Sequence, residues 1–94
     1  MEIDLFYVDT TEAIAVEVKT HCTRAKINRF LKHMQNFKVL FPGFADLEVY
    51  VGVAALDFTD AAAEYALEKG VILIHVNDDA FVIDKIDKGK LKKF

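Results

Sequence analysis

The sequence predicts a single α/β domain: a mixed central β-sheet flanked by two helices, in the order β-β-α-β-α-β-β. Three observations predict it. Short runs rich in β-branched and aromatic residues alternate with two stretches of helical apolar spacing. The order strand, helix, strand calls for crossover connections, which make the inner strands parallel. No repeat, low-complexity segment or Pro/Gly-rich linker divides the 94 residues, a length suited to one domain.

Residues 2–8 (EIDLFYV) and 13–20 (AIAVEVKT) read as the first two strands. The polar link Asp9-Thr10-Thr11-Glu12 is short enough to make them an antiparallel hairpin, and it lacks the Asn-Gly signature of the tightest turns. A helix follows with Thr23 as N-cap. Its apolar stripe runs through Ile27, Phe30, Leu31, Met34 and Phe37 until Pro42-Gly43 stops it. Residues 47–56 (LEVYVGVAAL) are apolar enough for a strand buried on both faces. The second helix is 60–69 (DAAAEYALEK), capped by Thr59 or Asp60 and ended by Gly70. Strand 71–76 (VILIHV) and a last strand at about 80–86 complete the domain, 1–87. Residues 88–94 are a basic tail, expected to be flexible.

Composition narrows the function classes. An apolar content of 53% with one proline excludes a disordered chain. No apolar run reaches the roughly 18 residues of a membrane span, and charges within the first four positions argue against a signal peptide. The one cysteine, Cys22, has no partner for an internal disulfide; this fits a cytoplasmic protein and a buried rather than reactive thiol. His21, His33, His75 and Cys22 lack zinc-ligand spacing, and no Gly-rich phosphate loop is present. His75, inside an apolar strand, reads as a hydrogen-bonded core or sheet-face residue. A net charge of −3 does not mark a nucleic-acid binder. The charge is nonetheless uneven: Arg24, Lys26, Arg29, Lys32 and His33 cluster in one stretch, and five lysines lie between Lys85 and Lys93.

The second strand is the informative one. Its alternation puts Ile14, Val16 and Val18 on one face, and Ala13, Ala15, Glu17 and Lys19 on the other. Two alanines followed by a carboxylate and an amine leave room for something other than core. A loop centred on Thr10-Thr11 pairs residues whose numbers add to a constant. Asp4 then falls opposite Glu17, and Glu2 opposite Lys19. Carboxylates this close repel unless a positive group sits between them, either Lys19 or a divalent cation. A solvated Glu-x-Lys edge pair is the plain structural reading of the same residues.

Glu2-Ile3-Asp4-Leu5, a short turn and Ala15-Val16-Glu17-Val18-Lys19-Thr20 resemble the core motif of PD-(D/E)XK nucleases, such as archaeal Holliday-junction resolvases. The similarity continues through Arg29-Phe30-Leu31 to Phe41-Pro42, the Ala-rich helix ending Lys69-Gly70 and the apolar strand after it. The resemblance implies a restriction-endonuclease-like core. It also implies that the helix, with its glutamate, that precedes the first strand in that family is missing here.

The resemblance implies a Mg²⁺-dependent DNA endonuclease-like domain, with Mn²⁺ as a possible substitute. Asp4 and Glu17 would ligate the metal with the help of the Val18 carbonyl. Lys19 would orient the attacking water and offset phosphate charge. His21, Arg24, Lys26 and Arg29, just beyond the motif, would meet the DNA backbone; an ordinary solvated helix face is the competing reading. The alternative function is a catalytically inactive nuclease-fold module for binding or oligomerisation within a longer protein. A homodimer is expected because the domain is small and apolar surface left by the missing helix would face water.

Overall fold

The computed structural model describes residues 3–78, 80–84 and 87–94. Strand β1 (Leu5–Val8) and strand β2 (Glu12–Cys22) form the antiparallel hairpin. The Asp9 N–H donates to the Glu12 carbonyl at 2.8 Å, so the loop is Thr10-Thr11 alone. The register runs from Val8↔Ala13 to Leu5↔Val16, the constant-sum pairing read from the sequence. The ladder stops at Leu5↔Val16, so the expected pairing of Asp4 with Glu17 is not part of it; Glu2, set against Lys19 by the same rule, lies outside the described residues.

Both edges of this hairpin have a physical cause. Counting by twos from the Asp9–Glu12 bond, Tyr7/Ile14 and Leu5/Val16 are the bonded pairs, and Ile3/Val18 would come next. Instead the Val18 N–H donates to Asp4 Oδ2 at 2.8 Å. The Asp4 carboxylate takes the place of the Ile3 carbonyl, the chain bends, and β1 starts at Leu5 rather than at residue 2.

Strand β3 (Glu48–Phe58) runs parallel to β2, strand β4 (Ile72–Val76) parallel to β3, and strand β5 (Phe81–Ile83) antiparallel to β4. Spatial order equals chain order, β1-β2-β3-β4-β5. The last strand is shorter than the 80–86 expected, and residues 85 and 86, Lys85 included, lie outside the described set.

Helices α1 (Arg24–Met34) and α3 (Asp60–Lys69) both cover one face of the sheet and pack on each other. That face carries Ala13, Ala15, Val49, Val51, Val53, Ala55 and Leu73; Ile27, Phe30, Leu31, Met34, Ala62, Tyr65 and Ala66 fill it from the helices. This corrects the expectation of a sheet with helices on either side. The crossovers β2-α1-β3 and β3-α3-β4 step in the same direction, and crossovers of one hand that do so must lie on one face. It also corrects the reading of the alanines. Ala13 and Ala15 are fully buried, and they are small because the helix layer approaches closely there, not because they line a vacant site.

The capping residues act as read. Thr23 Oγ1 accepts from Lys26 N–H at 3.4 Å, Thr59 Oγ1 from Ala62 N–H at 3.0 Å, and Gly70 ends α3 in the left-handed region at φ 74°. The first helix departs from expectation. It ends at Met34, and a short helix α2 (Phe37–Leu40) restarts after Asn36 (φ −102°, ψ 9°). Asn tolerates this bridge conformation and is a weak helix former. The break turns Phe37 inward against Phe6, Phe41 and Phe44, at ring separations of 5.3, 5.1 and 6.2 Å.

Residues 88–94 are tied back, contrary to a flexible tail. Lys92 N–H donates to the Gly70 carbonyl at 3.1 Å, Phe94 N–H to the Val49 carbonyl at 2.8 Å, and the Phe94 ring packs on the core. Lys88 and Lys93 pair with Glu12 and Glu48 at 2.5 and 3.3 Å. Among the described residues no helix is long and apolar enough to cross a membrane.

Candidate active site

The charged end of β2 lies on the helix-covered face, beyond the last alanine of the core. Glu17 sits beside Val53 and Lys19 beside Ala55 on β3, both buried neighbours. The Lys19 ammonium is 3.2 Å from Glu17 Oε1, with the side chains 21% (Glu17) and 32% (Lys19) exposed. The pair is therefore wet on one side and walled by apolar residues on the other.

Asp4 approaches this pair from the neighbouring chain segment. Its Oδ2 is held by the Val18 N–H, one residue from Glu17, and Oδ1 has no protein partner among the described residues. In an extended strand the N–H and C=O of one residue point the same way. The Val18 carbonyl therefore also faces the edge that β1 leaves open. Asp4, Glu17, Val18 and Lys19 thus lie at the same end of the hairpin, Asp4 joined to Val18 and Glu17 to Lys19. Among the described residues no three His, Cys, Asp or Glu side chains form a metal-binding group, so any cation here would rest on two carboxylates, a carbonyl and water.

His21 continues the same face, two residues past Lys19. Its Nδ1 contacts Asp57 Oδ1 on β3, and its carbonyl accepts from the Lys26 ammonium at 2.6 Å. Asp57 was not reachable from sequence, since nothing in it shows which residue of a parallel neighbour lies opposite His21.

The basic stretch does not act as one patch. Successive helical residues are offset by about 100°, which puts Arg24 and Lys26 on opposite flanks of the buried stripe. Arg24 lies over the Tyr65 ring of α3, at 4.6 Å, while Lys26 turns to the end of β2. Arg29, Lys32 and His33 form the exposed face between them. Of the expected backbone contacts, Lys26 and His21 thus adjoin the Glu17–Lys19 pair, and Arg24 leans away.

The remaining candidates are structural. Cys22 is fully buried in the core, and burial pushes its thiol above the ordinary value against the opposing pull of Lys26. His75 is a half-exposed sheet-face residue with Nε2 3.0 Å from Asp84 Oδ1 and its ring edge-on to Phe58, as the sequence reading had it.

No protein-family model matches the chain, and no curated protein and no solved structure matches it either.

Proposed function

We propose that this domain is a Mg²⁺-dependent, endonuclease-like hydrolase of DNA phosphodiesters, built on a restriction-endonuclease-like core. One observation carries the reading. The Asp4–Val18 hydrogen bond fixes the first motif carboxylate one residue from Glu17 and leaves Oδ1 without a partner among the described residues. A merely solvated Glu-x-Lys pair gives no reason for a distant aspartate to end the β-ladder at that point.

The donor set suits a hard cation, which takes carboxylate and carbonyl oxygens and keeps several waters. When bound, Mg²⁺ supplies Lewis acidity and a more acidic water. The chain supplies the rest. Asp4, Glu17 and the Val18 carbonyl offer the oxygens. Lys19, 3.2 Å from Glu17, offers a positive charge to a phosphate oxygen and a donor to the attacking water. Lys26 and Arg29 extend that charge along α1, where phosphate contacts position a duplex without reading its sequence.

The test is a nicking assay on supercoiled plasmid with Mg²⁺ or Mn²⁺. Wild type is expected to relax the plasmid, and Asp4→Ala and Lys19→Ala to lose at least about a hundredfold in rate, typical of removing one charge-stabilising group. Equal nicking by wild type and Asp4→Ala would defeat the proposal. So would no nicking with either metal, which would leave a binding module on the same fold.

A further inference from the structure

Two histidine–aspartate pairs lie on the sheet, and they differ in the ring nitrogen that each uses. His75 on β4 turns Nε2 to Asp84 Oδ1 at 3.0 Å and sets its ring edge-on to Phe58. His21 on β2 turns Nδ1 to Asp57 Oδ1 on β3. Its Nε2, at the far tip of the ring, has no protein partner among the described residues. In a neutral imidazole, the hydrogen bond made by one nitrogen decides which of the two carries the proton. Asp57 therefore holds the proton of His21 on Nδ1 and leaves Nε2 to whatever approaches from outside.

The placement of His21 is equally specific. It lies two residues beyond Lys19 on the same face, about 7 Å further along the strand. The Lys26 ammonium of α1 binds its carbonyl at 2.6 Å, and the Thr59 N–H, at the start of α3, donates to the next carbonyl, that of Cys22, at 3.1 Å. The backbone under the ring is thus pinned from both helices. The two side chains stay open to solvent, 53% exposed for His21 and 64% for Asp57. A pair this exposed adds little to stability, so holding the fold together gives no account of it.

The roles assigned to Asp4, Glu17 and Lys19 concern the attacking water and the phosphate charge. None of them serves the leaving oxygen. As the water oxygen bonds to phosphorus, the P–O bond on the opposite side breaks and its electron pair stays on the leaving oxygen. A positioned acid that protonates this oxygen typically accelerates such a step by about 10²–10⁴-fold.

We propose that His21, oriented by Asp57, is the general acid of the site, an inference that rests on the nuclease reading above. With both nitrogens protonated, the ring donates Nδ1–H to Asp57 and Nε2–H to the leaving oxygen. The products are a phosphate monoester and an alcohol. The attacking water releases its proton to solvent, and the neutral ring regains one from solvent. Asp57 touches only the ring and is a positioning residue.

Two measurements test this, one of them without metal or turnover. Long-range ¹⁵N–¹H NMR of the domain alone, above neutral pH, should show His21 as the Nδ1–H tautomer and His75 as the Nε2–H tautomer. Asp57→Ala should return His21 to the Nε2–H form and leave His75 as it was. An Nε2–H tautomer for His21 in wild type overturns the proposal and leaves the nuclease reading standing. The second measurement is cleavage of a duplex with sulfur in place of either bridging oxygen of one linkage, since a thiolate leaves without a proton. His21→Ala should lose about a hundredfold on the all-oxygen linkage and less than about tenfold on the sulfur linkage, whereas Lys19→Ala should lose on both. Equal losses by His21→Ala on the two linkages, or none on either, overturn the proposal. A wild type that cleaves neither linkage removes the nuclease reading and this role with it. If His21→Ala disturbs the hairpin signals, the tautomer measurement and the same substrate comparison with Asp57→Ala decide.

Discussion

Gly70 is the residue at which local geometry and long-range packing can be separated by two substitutions. Its φ of +74° lies in the left-handed region, and an added Cβ would stand 2.5 Å from both the Lys90 carbonyl oxygen and the Lys92 nitrogen. For alanine the conformation alone costs about 1–2 kcal/mol. The returning segment must also shift, which breaks the Lys92–Gly70 hydrogen bond and adds about 1 kcal/mol. Gly70→Ala should therefore cost about 2–3 kcal/mol, a large share of the roughly 5–15 kcal/mol expected of a domain. Asparagine tolerates the left-handed region but carries the same Cβ, so Gly70→Asn should cost about 1 kcal/mol less than alanine and still be destabilising. Urea unfolding measures both, the alanine midpoint falling by about 1–2 M. A neutral Gly70→Asn would refute the seating of residues 90–92 over this glycine. A cost below about 1 kcal/mol for Gly70→Ala would refute the backbone conformation as well.

Phe37→Ala removes the ring that Phe6, Phe41 and Phe44 surround, and should lower stability by about 3–5 kcal/mol in the same urea titration; a loss under about 1 kcal/mol would mean that the aromatic cluster is loosely packed. The tail anchors should respond to pH at both extremes. A hydrogen bond from Lys93 holds Glu48 below its ordinary 4.5, so that contact is complete above pH 4.5 and fades as pH falls through the lowered value. The hydrogen bond to Glu12 raises Lys88 above 10.5, so its contribution is complete below pH 10.5 and fades as pH rises beyond it. Phe94 ring signals in proton NMR should therefore stay constant from about pH 5 to 10 and drift outside that window; a transition near neutrality would contradict this. Cys22, buried and with its thiol pushed up, should react with a disulfide reagent at least about tenfold more slowly than free cysteine until urea opens the core. Rapid labelling of the native protein would count against that placement.

Features with a local cause were readable in the sequence. The hairpin register followed from a symmetric polar loop, because the Asp9–Glu12 closure leaves only one pairing. Thr23, Thr59 and Gly70 carry their roles in their own chemistry. Features fixed by contacts between distant segments were not readable. Phe37 continues the apolar period of α1 because it packs into the same core, so the break at Asn36 leaves no mark in the pattern. Ala13 and Ala15 look alike whether a helix or an open site faces them. The helices share a face because the strands add in one direction, an order that periodicity does not encode. At the site, Asp4, Glu17 and Lys19 follow from the hairpin alone, whereas Asp57 enters only through the parallel register of β2 with β3.

Paramagnetic broadening by Mn²⁺ tests the central claim without depending on turnover. With substoichiometric Mn²⁺, the amide signals of Asp4, Glu17, Val18 and Lys19 should broaden first, and Asp4→Ala should abolish the effect while leaving the hairpin signals in place. Broadening centred on another acidic surface, such as Asp84 and Asp87, or broadening at β2 that persists in Asp4→Ala, would contradict a metal site built at this end of the hairpin.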